Sequence, residues 1–178
     1  WDEVLDASIR TCKALSAHGA KHLVLIDSIS ERRAPTAGRA DDAEQMDKAE
    51  WSVYRDRIAQ VAKMSAEESG LTVGIHAHAA GFMDFEPELI RLLDEVEEKH
   101  LKICFDTGHH SYAGFDPISF MERYMSRISY MHFKDINPVV KSDVLAKGTG
   151  FYDACGQGIF CNLGDGDVNF PRVREILL

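Results

Sequence analysis

The stretch KICFDTGHHSYAG, residues 102–114, runs from an apolar segment of strand type straight into an aspartate, a glycine and two histidines. A buried strand closed by a simple turn has no use for Asp106, His109 and His110 together. The arrangement recurs on both sides of it. LTVGIHAH (71–78) ends in His76 and His78, and ISYMHFKD (128–135) ends in His132, Lys134 and Asp135. Three successive strand candidates therefore finish in residues that a buried core does not favour.

Helical patterns separate these strands. Leu5, Ile9, Cys12 and Leu15 form one face of a helix over residues 4–17, with Gly19 closing it. HLVLID (22–27) follows as a strand too apolar on both faces for a surface position. RAPTAGRADDAEQ (33–45) reads as a loop or lid from its Pro, Gly and charge content, and Trp51, Tyr54, Ile58, Val61 and Met64 line the next helix. DFEPELIRLLDEV (84–96) places Pro87 in the first turn of a third helix. FDPISFMERY (115–124) offers Asp116 as N-cap with Pro117 behind it. Beyond Asp135 the composition predicts about 25 residues of loop with one short helix near Asp143–Lys147. GDGDVNFP (164–171) then starts the last helix, its GDG read as a turn near the site mouth.

Strands alternating with helices demand parallel pairing, so the class is α/β. An open doubly wound sheet and a (β/α)8 barrel compete. In a barrel every strand opens its carboxyl end at one mouth, whereas an open sheet gathers side chains only at its switch point. The three polar strand ends favour the barrel. Four strands are about half of a fold that takes about 250 residues. The chain starts without methionine and stops at VREILL without a C-cap signal. Residues 1–178 are expected to be part of a single barrel domain, with open edges at both ends of the sheet.

Composition excludes several classes. The chain is 45% hydrophobic and 28% charged, which suits a globular fold. It has no run of membrane-helix length and no signal-peptide layout at its start, so a cytoplasmic location is the default. Cys12, Cys104, Cys155 and Cys161 show no CxxC spacing and are expected to be reduced packing thiols. A formal charge of −9, with no basic run, argues against a nucleic-acid partner.

FDTGHHSYAG, YMHFKD and GIFCNLGDGDVNF resemble the xylose-isomerase-like barrel superfamily of sugar isomerases and epimerases, and within it the inosose dehydratases most. The resemblance covers the whole chain and implies about barrel strands four to seven. It implies one divalent metal ion, with Asp106 and His132 as ligands and a further carboxylate on a strand beyond Leu178. Where the superfamily places a strand-five glutamate, this chain has His76, with His78 two residues further on the same side. The inosose dehydratases tend to share that exchange.

Oxygen and imidazole donors suit manganese, magnesium, cobalt or iron(II), with zinc also possible at such a site. A metal of this kind polarises the oxygens of a polyhydroxy ketone and stabilises an enediolate. His78, His109 and Lys134 are the candidate acid–base groups, and His109, Lys134 and Asp135 the candidate substrate contacts. Arg32, Arg33 and Arg39 could reach a phosphate from the first long loop. The expected substrate is a small sugar or inosose, and a homo-oligomer is open. Three other readings remain open: a sugar isomerase or epimerase, a non-catalytic sugar-binding barrel, and an abasic-site endonuclease. Taken singly, Asp106 also suits a plain turn and Lys134–Asp135 a solvated pair; His100 and His110 read as surface residues.

Overall fold

The computed structural model describes residues 1–178. Helix α1 (Asp2–Ala17) and strand β1 (His22–Leu25) come first, followed by α2 (Lys48–Ser69), β2 (Thr72–Ile75), α3 (Glu86–Glu95) and β3 (Lys102–Asp106). Then come α4 (Thr107–Tyr112), α5 (Pro117–Tyr124), β4 (Ile128–His132), β5 (Asp135–Ile136), α6 (Pro138–Ala146), α7 (Phe151–Gly156), β6 (Phe160–Cys161) and α8 (Phe170–Leu177). Strands β1 to β4 form one parallel sheet in sequential order, as successive right-handed crossovers produce. No helix is long and apolar enough to cross a membrane.

Local sequence sets the ends of these elements. Asp47 accepts from the N–H groups of Ala49 and Glu50, Glu50 reaches back to the Asp47 N–H, and Gly70 closes α2 in the left-handed conformation at φ +64°. Asp116 caps α5 through the Ile118 and Ser119 N–H groups, with Pro117 behind it as the sequence predicts. Helix α3 carries Pro87 in its first turn, and Glu88 accepts from the N–H of Asp84 and Phe85.

Alternation along the strands separates two faces. Val73, Ile75, Ile103 and Phe105 pack under the helices in one buried core with Trp51, Leu89, Leu92 and Phe120. Gly74, Cys104 and Asp106 therefore face the other way, toward the barrel interior. Between β3 and β4 the register shifts: Ile103 pairs with Ile128, but Cys104 pairs with Tyr130 and Asp106 with His132. The extra residue, Ser129, is a bulge. Without it Asp106 would face Met131, and His132 would turn into the helical core.

A second, smaller core joins Ala37, Ala79, Tyr112, Val144, Phe151 and Ile159. It is built from the loop after β1 and from α6 and α7, where the sequence predicted loop with one short helix. Asn137 caps α6 through the Val139 and Val140 N–H groups, and Pro138 takes its first turn. The 33–45 segment is docked rather than free. Arg33 is buried, pairing with Glu88 at 2.6 Å, and Arg32 pairs with Glu44 and Glu50, so neither is placed to meet a phosphate. His110 is buried rather than on the surface, 3.1 Å from Glu86, and His100 is half-buried.

Asp135 departs most from expectation. Its carboxylate is fully buried and accepts from the N–H groups of Ile136, Gly164, Gly166 and Val168 at 2.8–3.0 Å. It organises the GDGDV turn instead of meeting substrate. Burial pushes the carboxyl up, but these four N–H groups outweigh it and hold the group below its ordinary 3.8. Its stabilisation is therefore complete above that value and fades as pH falls through the depressed one. Asp135→Ala should cost about 3 kcal/mol or more, since it orphans buried donors, with urea unfolding of the intact protein as the measurement. Asp135→Asn should recover only part of the loss.

Candidate metal centre

Asp106 ends β3 and is also the N-cap of α4, a helix where the sequence suggested only a turn. Its Oδ1 accepts from the N–H of Gly108 and His109, both at 2.9 Å. The other oxygen, Oδ2, points into the barrel interior and meets three nitrogens. His76 Nε2 and His132 Nδ1 each lie 3.5 Å away and Lys134 Nζ lies 2.7 Å away. The Lys134 ammonium forms an ion pair with Oδ2, which takes no backbone N–H, those contacts going to Oδ1. Gly108 makes the approach possible, because a Cβ there would run into the Lys134 side chain and Phe160.

The histidines close round this carboxylate. The ring of His76 is 4.8 Å from that of His132 and 5.4 Å from that of His109, and His78 and His109 are 4.0 Å apart. His76, His109 and Asp106 are buried, while the His132 side chain is 38% exposed on the open flank. Phe151 of α7 stands 5.4 Å from both His78 and His109, and Phe160 of β6 lies 5.8 Å from His109 and 5.3 Å from Lys134 Nζ. One wall is thus aromatic and the floor is polar.

Burial alone would raise the Asp106 carboxyl; the His76 contact, the neighbouring His109 and Lys134, and the His109 N–H outweigh it and hold it well below the ordinary carboxylate range. Burial moves His109 well below 6.5 and also lowers His78; for His132 burial acts first and the nearby His76 second. Imidazoles that stay neutral at pH 7 keep a lone pair for an ion. Burial, followed by the Asp106 charge, pushes the Cys104 thiol up to about 11, which keeps that sulfur protonated although it lies 3.8 Å from His132 Nε2.

The donor set fits a divalent ion. Ligands about 2.1 Å from one ion stand roughly 3 to 3.5 Å from each other, the separation that Asp106 Oδ2 keeps from His76 Nε2 and His132 Nδ1. On distance alone, His76, Asp106 and His109 also form a group whose ligand atoms lie within 4.8 Å of one another. Nδ1 of His109, however, accepts from the Ala79 N–H at 3.4 Å, which leaves the proton of the neutral ring on Nε2. His109 thus offers the site an N–H, while His132 Nδ1, 3.5 Å from the same Asp106 oxygen, offers a further donor.

The profile of the family described as xylose isomerase-like TIM barrel matches residues 1–178. The chain belongs to that family. The rhizopine catabolism protein MocC of Rhizobium meliloti is 30% identical to it over 159 residues, which cover 89% of this chain and 48% of that protein. An inosose dehydratase of Bacillus cereus strain AH820 is 32% identical over 128 residues, covering 72% of this chain and 43% of the relative. The chain spans about half the length of these curated relatives. Among solved structures, IolI with a bound zinc atom superposes at a TM-score of 0.70 over 99% of this chain and 56% of its own, at 14% identity, a likeness of fold.

The sequence singled out His76, His78, Asp106, His109, His132 and Lys134, and all six converge. It passed over two carboxylates behind them, the half-buried Asp27 after β1 and the buried Asp84 before α3. Asp27 ends its strand segment just as Asp106 does, so the same signal was present there. Elemental analysis of the purified intact protein should find metal that Asp106→Ala loses. Lys134→Met should retain metal at least as well as the parent, because it removes the ammonium that competes for Oδ2.

Proposed function

We propose that the intact protein holds one divalent ion through Asp106, His132 and His76, and removes water from a polyhydroxy ketone of the inosose class. The observation that carries this reading is Oδ2 of Asp106, ion-paired with Lys134 and flanked by two imidazole nitrogens at ligand-to-ligand distance beside acid–base groups. Named inosose dehydratases among the relatives support the substrate class. When bound, the ion supplies Lewis acidity toward the carbonyl and the neighbouring hydroxyl oxygen.

The side chains supply the rest. His78, with Nδ1 donating to the Ala79 carbonyl at 2.9 Å, keeps a lone pair on Nε2 and takes the proton next to the carbonyl. The electron pair so released forms an enediolate. Expulsion of the β-hydroxyl then needs one proton, which His109 Nε2–H or the Lys134 ammonium delivers as the C–O bond breaks. Ketone and product differ by one water. Phe151 and Phe160 face the C–H side of a ring and keep solvent from the enediolate.

An epimerase returns the proton to either face and relies on paired carboxylate bases; an imidazole at position 76 removes one of them. Intact protein with manganese or cobalt should convert 2-keto-myo-inositol to a dione seen in the near ultraviolet, faster than it interconverts ketohexoses. His76→Glu should lower dehydration and raise epimerisation. Ketose epimerisation without dione in the unmodified protein would reverse the assignment in favour of an epimerase.

A further inference from the structure

The backbone of Ala79 touches both rings of the closest histidine pair, through the two peptide groups on either side of its Cα. Its carbonyl accepts from His78 Nδ1 at 2.9 Å, and its N–H donates to His109 Nδ1 at 3.4 Å. A carbonyl only accepts, so a neutral His78 carries its proton on Nδ1. An amide N–H only donates, so a neutral His109 carries its proton on Nε2. The two peptide groups that flank the Ala79 Cα thereby impose opposite tautomers on two rings 4.0 Å apart.

The turn that carries this backbone is held from behind by the two carboxylates that the metal centre does not use. Asp84, 3% exposed, accepts from the Ala80 N–H at 3.1 Å. Asp27 accepts from the N–H groups of Phe82 and Met83 at 2.7 and 3.2 Å. The turn closes on itself through His78 N–H to the Met83 carbonyl at 2.8 Å, and Ser30 N–H holds the Ala80 carbonyl at 3.0 Å. Ala80 stands at φ +72°, the one non-glycine residue with positive φ, a conformation that a residue with a Cβ keeps only when its surroundings impose it. Gly81 is required because Asp27 occupies the space a Cβ would take. Seven consecutive residues, 78–84, are thus over-determined, and what they present to the site is one donor and one acceptor.

We infer that Asp27 and Asp84 are positioning residues which, through the Ala79–Met83 turn, assign His78 the role of base and His109 that of proton donor. This deepens the dehydration reading and rests on it for the roles, but the tautomers themselves are observable without any turnover. The class of reaction served is one that needs a base and an acid fixed in advance on neighbouring groups, as elimination of water does. A racemising or epimerising pair would instead alternate its protons.

The decisive measurement is nitrogen NMR of the intact protein labelled at histidine nitrogens. The expected spectrum has His78 protonated at Nδ1 and His109 at Nε2. Asp84→Ala should mix the tautomers and lower kcat about tenfold to a hundredfold, with KM and metal content little changed. Asp84→Asn keeps an acceptor for the Ala80 N–H and should restore both. If Asp84→Ala fails to fold, Asp84→Asn and Ala80→Gly, which relaxes the left-handed position, carry the comparison, and both should keep the parent tautomers. Identical tautomers on the two rings of the parent protein, or unmixed tautomers in a folded Asp84→Ala, would overturn the inference. Opposite tautomers without dione formation would overturn the dehydration reading and leave the positioning role standing.

Discussion

The two oxygens of Asp106 have different neighbours, and the candidate centre follows from that division. Oδ1 binds the N-terminus of α4, which fixes the carboxylate against the positive end of a helix and leaves it no freedom to rotate. Oδ2 is left facing two imidazoles and an ammonium. A carboxylate free to turn could satisfy either set of partners; one pinned at Oδ1 can only offer Oδ2 to the interior. The helix cap is therefore a part of the site, and α4 follows β3 without a loop because Asp106 serves both elements.

Pinning one ligand is useful only if the neighbouring strand presents its own at the same level, and the Ser129 bulge does that by bringing His132 opposite Asp106. The strand-end histidines and Asp106 were legible because polar residues at the ends of apolar runs are conspicuous. The bulge was not, since nothing in ISYMHFKD distinguishes a shifted register from a regular one. Asp135 misled for a related reason: a polar residue at the end of a strand looks the same whether it faces a substrate or collects backbone N–H groups from residues 164–168, some 30 positions away in sequence. His110 misled because its partner Glu86 lies on another helix. The helical N-cap Asp116 was readable in full, because capping is local. Helix α7 was not, and α6 only over its C-terminal part near Asp143, because their stability comes from packing on Ala37, Tyr112 and Ile159 rather than from a strong periodicity of their own.

That second core also gives the site its asymmetry. The loop after β1 reaches across to α6 and α7 and buries Ala37 between them, so Phe151 and Phe160 stand fixed beside His78, His109 and Lys134. A cavity of about 710 Å³ lies elsewhere, against β1 and α2, lined by Leu25, Met46, Tyr54 and Ile58. It contains none of the six convergent residues. Volume is a poor guide to chemistry in this chain; the small polar concavity where strand ends meet carries the titratable groups.

Charge gives the remaining constraint. The chain as a whole is at −9, yet Asp106 is the sole carboxylate in the group formed with His76 and His109, and Lys134 already faces it. A divalent ion with an imidazole in place of one carboxylate ligand has one anionic ligand fewer, whatever the strand beyond Leu178 adds, and so polarises an oxygen more strongly. On the proposed reading, an imidazole at position 76 where a carboxylate would stand removes a base and strengthens an electrophile at the same stroke. Both effects would favour the proposed loss of a hydroxyl over return of a proton from either side. The acidic exterior does not oppose this, because a neutral polyhydroxy ketone is indifferent to it while a phosphate backbone is not.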